Sequence, residues 1–176
     1  MATEKWEIDA SHSSIAFWVR HMVVAKVHGQ FTRWSGNLEL DTSSLATSKV
    51  DIRIDAASID TRDPQRDAHL RAPDFLDVEA HPHIDFKSSR IERVGAETYR
   101  VVGDLTIHGV TRAITLDAEY GGRAKDPWGG ERAGFSAKTK LDRKDFGLQW
   151  NQVLEAGGVL VGETIDVTIE LEAKKA

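Results

Sequence analysis

The sequence predicts an all-β domain that closes into an antiparallel barrel of about eight strands, with one short helix near residues 64–71. Apolar residues recur at alternate positions, and clusters of Gly, Asn, Asp and Pro separate these stretches. A chain of 176 residues is also too short to supply helices that would cover a broad open sheet. A two-sheet sandwich accepts the same alternation, but long strands in sequential hairpins favour the barrel.

The alternation marks the candidate strands in chain order. In the last strand the apolar residues alternate with Thr, Asp and Glu, which is typical of a strand with one buried and one solvated face. Three glycines, Gly29, Gly36 and Gly103, are candidate bend or bulge positions. The apolar residues that share a face within each strand are Ile15, Phe17 and Val19; Leu38 and Leu40; Val50, Ile52 and Ile54; Ile84 and Phe86; Tyr99, Val101, Leu105 and Ile107; Ile114, Leu116 and Tyr120; Phe135, Ala137 and Leu141; and Ile165, Val167, Ile169 and Leu171.

A two-residue turn is predicted at His108-Gly109, between two strand-like segments. Such a turn needs a positive φ at both central residues, which glycine adopts freely and histidine tolerates better than most residues. The sequence therefore assigns His108 to a hairpin turn and not to a chemical role.

The only helical segment interrupts the strands. Asp63 is a plausible N-cap, Pro64 suits the first helical position, and Pro73 prevents a long continuation. Asp67 and Arg71 stand four residues apart, so we expect them to pair on the solvent side. The helix is expected to lie across one mouth of the barrel, or only to pack a corner of it.

Composition excludes several classes of protein. The chain is 40% hydrophobic and 29% charged, which excludes a disordered chain, and no apolar run approaches the length that spans a bilayer. The formal net charge of -5 does not favour nucleic acid or stable membrane insertion. The chain contains no cysteine, so disulfides and thiolate metal sites are excluded. Residues 1–6 lack the regions of a secretory signal, which predicts a cytoplasmic protein.

A series of short motifs occurs in order from about residue 6 to residue 172: Trp6-Glu7-Ile8-Asp9, His12-Ser13, Phe17, His21, Gly29-Gln30-Phe31, Arg66-Asp67-Ala68-His69-Leu70, Asp74-Phe75, Gly103-Asp104-Leu105-Thr106-Ile107-His108-Gly109-Val110-Thr111 and Asp145-Phe146-Gly147. Taken together, these motifs resemble the YceI-like family. The resemblance implies a single lipocalin-like domain over residues 1–176, a homodimer, and a long isoprenoid or other lipid-like molecule in the barrel. Many members are exported to the periplasm, and the missing leader is a departure from that pattern.

The residues are consistent with such a ligand. An eight-stranded barrel is just wide enough to be filled by side chains or to hold one slender guest. The inward rows are mostly branched and medium-sized, which favours an open tube about 25 Å tall, long enough for on the order of twenty carbons. The residues expected to line it are Ile15, Phe17, Val19, Phe31, Leu38, Val50, Ile52, Ile54, Leu70, Phe75, Ile84, Phe86, Leu105, Ile107, Phe135, Leu141 and Phe146.

The polar residues admit two interpretations. Arg66, Asp67 and His69 are candidate contacts for a ligand head group, or they form a network that holds the helix to the barrel. The pair His81 and His83 invites a metal hypothesis, but no third ligand sits at a diagnostic spacing. The sequence therefore predicts no metal.

The favoured function is non-catalytic binding, carriage or sequestration of a polyisoprenoid, isoprenoid quinone or fatty-acyl lipid. This hypothesis includes no catalytic residues and no catalytic cofactor, and the partners are the lipid and a second copy of the chain. The alternative is an enzyme that acts on such a lipid through the Arg66, Asp67 and His69 group or through a metal at His81 and His83. A third hypothesis is a filled barrel that serves as an interaction module.

Overall fold

A computed structural model describes residues 3–151 and 160–176, and its strands form one antiparallel sheet. The helix α1 comprises Pro64–Arg71, and 3-10 turns comprise Ala10–His12, Leu45–Thr47, Ala56–Ser58 and Arg143–Phe146. The strands are β1 (Glu4–Ile8), β2 (Ser14–His21), β3 (Ala25–Phe31), β4 (Trp34–Leu40), β5 (Lys49–Asp55), β6 (Ile59–Asp60), β7 (His83–Arg93), β8 (Thr98–Ile107), β9 (Val110–Lys125), β10 (Glu131–Asp142) and β11 (Val161–Lys175).

The sheet closes on itself because β1 pairs with β4 on one side and with β11 on the other. The ring runs β1-β4-β5-β7-β8-β9-β10-β11, so the predicted eight-stranded barrel is confirmed and the sandwich is not observed. The remaining strands extend the sheet beyond this ring: β2 pairs with β11, β3 pairs with β2, and β6 pairs with β3. Because the sheet is closed, the apolar face of each strand points to the same interior, and the apolar side chains surround one axis.

Short breaks in the chain separate β1 from β2, β3 from β4, and β5 from β6. Asp9 caps the 3-10 turn between β1 and β2 by accepting a hydrogen bond from the Ser11 backbone, and Asp55 caps the turn before β6 in the same way. Beyond the breaks, β6 pairs only with β3 among the described residues, while β7 begins at His83 beside β5. The barrel wall between β6 and β7 is therefore completed by α1 and residues 72–82. We call this the helix end, and the opposite end, where Trp6 lies, the β1 end.

The predicted helix and turn are both confirmed. The Asp63 carboxylate accepts hydrogen bonds from the backbone of the first helical turn, as an N-cap does. His108 and Gly109 have φ angles of 54° and 72°, as the two-residue turn requires. In residues 3–151 and 160–176 no helix has the length and apolarity needed to cross a bilayer.

The predicted pair of Asp67 and Arg71 is wrong. Asp67 is buried and accepts two hydrogen bonds from Thr61, while an Arg71 Nη donates to the Ala57 carbonyl. The spacing of four residues put both on one helix face, but that face packs against the chain around β6 instead of facing solvent.

Gly103 lies opposite a bulge in β7, where the register with β8 shifts between Ser88 and Arg90. A Cβ at Gly103 would stand 2.5 Å from the Lys87 carbonyl oxygen and 2.6 Å from Cζ of Phe86. The absence of a side chain is therefore what lets β7 and β8 approach each other here.

We expect Gly103→Ala to lower the free energy of unfolding by about 1–3 kcal/mol, because backbone must move to admit the methyl group. Gly134→Ala in β10 is the matched control, since no described atom lies within 4 Å of its added Cβ. The control should change stability by less than about 0.5 kcal/mol. Denaturant unfolding measures both values, and equal losses would contradict the steric argument.

Candidate functional site

A cavity of about 280 Å³ lies inside the barrel. Its lining extends from Leu40 and Leu45 near the β1 end to Leu70 and Phe75 at the helix end, so it follows the barrel axis. The lining is apolar apart from a few residues that carry polar groups: Ser48, Tyr99, Glu119, Tyr120, Ser136, Thr139 and Arg143. A narrow apolar channel of this kind suits a slender apolar guest.

Every residue that the sequence predicted to line the barrel does so except Phe146. Phe146 is 2% exposed and packs in the surrounding core, so its assignment to the lining is wrong. It lies at the end of a 3-10 turn, where the alternation of a strand no longer determines which way a side chain points. That these residues bind a ligand stays a prediction.

Other lining residues were missed. Trp34 alternates with the predicted Leu38 along β4, so extending the pattern by two steps would have found it. Leu45, Ile59 and Leu148 also line the cavity, but they lie in a 3-10 turn, a two-residue strand and an irregular segment. Such short elements carry no periodicity that a sequence could reveal.

Arg66 and Asp67 form a network that holds α1 to the chain before it. The Asp67 carboxylate accepts hydrogen bonds from the Thr61 backbone at 2.9 Å and from the Thr61 hydroxyl at 2.5 Å. The Arg66 guanidinium donates to the same hydroxyl at 2.8 Å and to the Thr61 carbonyl at 2.7 Å. Neither side chain lines the cavity, which agrees with the hypothesis that these residues hold the helix to the barrel.

His69, the third candidate head-group contact, is separate from that network. Its Nε2 lies 2.9 Å from a carboxylate oxygen of Asp74, and its ring packs edge-on against Phe75 and Trp150 at centroid distances of 5.1 and 4.8 Å. His69 does not line the cavity, but Phe75 does. This aromatic cluster therefore forms part of the cover over the helix end.

Arg143 is a buried cation that the sequence did not single out. It is 3% exposed and donates hydrogen bonds to the carbonyls of Leu148, Trp150, Val161 and Gly162. Burial lowers the pKa of its guanidinium below the ordinary value. Because four of its five N–H donors bond to these carbonyls, Arg143 serves to tie the chain together at the edge of the cavity.

The β1 end is closed by packing and by ion pairs. Trp6 is 2% exposed among Leu38, Leu40, Ala133 and Ala173, and the Arg123 guanidinium lies over its ring. Arg123 also pairs with Glu4 and Glu131, and Lys175 pairs with the same two carboxylates. Hydrogen bonds from Lys175 and Arg123, respectively, lower the pKa values of Glu4 and Glu131. At this end, charged side chains therefore lie outside a buried apolar cluster.

Comparisons with known proteins agree with this architecture. The family model of the YceI-like domain matches residues 6–173. A UPF0312 protein of Pseudomonas putida strain W619 is 36% identical over 176 residues, which cover 99% of this chain and 88% of that protein.

Two solved structures are also similar to this chain. The YCEI protein of Campylobacter jejuni has a TM-score of 0.75 at 32% identity and covers 89% of this chain and 90% of its own. A polyisoprenoid binding domain from Saccharophagus degradans has a TM-score of 0.71 at 16% identity, covers 97% of this chain and 98% of its own, and shows the shared fold. The family match spans nearly the whole barrel, and this chain therefore belongs to the YceI-like family.

Proposed function

We propose that this protein binds a long apolar lipid inside its barrel and sequesters or carries it without changing it chemically. The observation that carries this proposal is the cavity of about 280 Å³, whose apolar lining extends between both ends of the barrel. A polyisoprenoid, an isoprenoid quinone or a fatty-acyl derivative has the length and girth to fill such a channel.

Burial of the chain of the lipid supplies the binding energy. Each buried methylene contributes about 0.8 kcal/mol, so a lipid chain that buries about ten carbons would gain about 8 kcal/mol before ordering costs are subtracted. The lining offers little for a charged head group, because carbonyls already occupy Arg143. We therefore expect the bound molecule to be neutral where it lies in the channel.

The composition of the lining supports binding rather than catalysis. Among the described residues that line the cavity there is no histidine, and Glu119 is the single carboxylate. General acid and base chemistry commonly needs a histidine or a pair of carboxylates within reach of the substrate. The structural neighbour described as a polyisoprenoid binding domain supports the same choice of ligand class.

We infer that the lipid enters at the helix end. Backbone pairing is interrupted there, since within residues 3–151 and 160–176 β6 pairs only with β3, and the side chains that close the gap are Leu70, Phe75 and Leu76. At the β1 end, by contrast, Trp6 lies beneath the ion pairs of Arg123. Moving these side chains of α1 and of the segment that follows it costs less than breaking a strand ladder.

The direct test is to extract gently purified protein with organic solvent and to identify the extract by mass spectrometry. We expect one apolar molecule per barrel, and we expect protein stripped of it to take up a fluorescent fatty acid. A barrel that is repeatedly recovered empty and takes up no such probe would contradict the proposal.

A further inference from the structure

Three potential metal ligands converge at the helix end, outside the cavity. Asp77, His81 and His108 each contribute one side-chain ligand atom, and these atoms lie within 4.8 Å of one another. Asp77 and His81 belong to the segment between α1 and β7, whereas His108 lies in the turn between β8 and β9. All three are half-buried.

Backbone contacts hold the three residues in place. The Asp77 carbonyl accepts a hydrogen bond of 2.8 Å from the His81 backbone, and the Asp77 backbone donates to the Ala72 carbonyl at 3.1 Å. The rings of His81 and His108 meet edge-on at a centroid distance of 4.8 Å. A Cβ added at Gly109 would stand 2.8 Å from Cε1 of His81, so the glycine makes room for this ring.

The side chains of the cluster have no competing partner in the described part of the chain. There, no lysine or arginine pairs with Asp77, and neither histidine ring makes a hydrogen bond. Half-buried imidazole and carboxylate groups without protein partners are available to a ligand.

We propose that Asp77, His81 and His108 bind a divalent transition-metal ion of the zinc class. Zinc accepts imidazole nitrogen and carboxylate oxygen at about 2.0–2.2 Å in tetrahedral geometry, which separates ligand atoms by about 3.3 Å. Ligand atoms already within 4.8 Å reach that separation through small side-chain rotations. Three protein ligands leave a fourth position for water or for a polar group of a solute.

A second group with metal-like composition, Asp9, His12 and Glu172, is a poorer candidate. The Arg132 guanidinium lies 2.6 Å from Asp9 and 3.2 Å from Glu172, so a cation is already present. The hydrogen bond that the His12 ring donates to the Asp9 carboxylate raises the pKa of His12, which favours the protonated ring that cannot bind a metal. This group provides an internal comparison for the proposed site.

A metal at the proposed site would join two separate parts of the helix end. It would link the segment that carries the cavity residues Phe75 and Leu76 to the β8–β9 turn. Since no strand pairing in the described part of the chain closes the wall between β6 and β7, such a link would brace the cover of the barrel. The metal would thus stabilise the fold and would take no part in lipid chemistry.

The test is a zinc chloride titration of tag-free, chelator-treated protein by calorimetry, with melting temperature as a second measurement. We expect one zinc ion per chain and a higher melting temperature when it is bound. His81→Ala and His108→Asn should each weaken binding about tenfold or more. Asn suits His108 because it favours the same positive φ before glycine and lacks the imidazole.

His83→Ala is the matched control, because His83 is exposed two residues from His81 and lies outside the cluster. It should leave both the affinity and the melting shift unchanged, as should His12→Ala. The proposal fails if the wild-type protein takes up no zinc, or if His83→Ala or His12→Ala weakens binding as much as His81→Ala does. These measurements need no lipid, so their result is independent of the proposed function.

Discussion

Ala118→Phe should abolish lipid uptake while leaving the barrel folded. Ala118 lies on β9 and lines the cavity beside Ala137, its register partner on the neighbouring strand β10, so this part of the channel wall carries two small side chains. A benzyl group would take up much of the cross-section of a cavity of about 280 Å³ and would prevent a chain from passing. We expect the affinity for a fluorescent long-chain fatty acid to fall by at least about tenfold, or 1.4 kcal/mol.

Ala113→Phe is the matched control because Ala113 lies on the same strand with its side chain exposed. It adds the same aromatic group to the outside of the barrel, so uptake should match that of the wild-type protein. Circular dichroism would show that both variants keep their strands. If Ala118→Phe binds the probe as tightly as the control, the interior is not the binding site and the filled-barrel hypothesis gains support.

Arg143→Met should cause the largest loss of stability among single substitutions of charged residues. The guanidinium donates to the Leu148 carbonyl at 2.7 Å and to the carbonyls of Trp150 and Gly162 at 2.8 Å each. Methionine fills much of the space but leaves these acceptors without partners. We expect the free energy of unfolding to fall by about 3 kcal/mol or more, measured by denaturant titration.

Arg112→Met is the corresponding control. Arg112 is exposed, and within the described residues its side chain makes one hydrogen bond of 3.0 Å, to the Asp145 carbonyl, so water can replace it. Its loss should cost less than about 1 kcal/mol. If both variants lose the same stability, Arg143 does not hold the chain together at the edge of the cavity.

Much of the candidate site was predictable because it follows from strand periodicity. Along β11 the residues Ile165, Val167, Ile169 and Leu171 all line the cavity, as their alternation indicates. The same rule fails at Phe146 and Ile59, which lie where strands are broken or replaced by 3-10 turns. A sequence pattern indicates which way a side chain points only where the backbone conformation repeats from residue to residue.

The sequence by itself determined the strands, the N-cap at Asp63 and the turn at His108-Gly109, because each depends on the intrinsic geometry of a few adjacent residues. Only the tertiary structure decided that Asp67 accepts hydrogen bonds from Thr61 and that Arg143 donates hydrogen bonds to four carbonyls. It also brought Asp77 and His81 to His108, 27 residues further along the chain. Such contacts arise when barrel closure places distant segments side by side, and no local pattern carries that information.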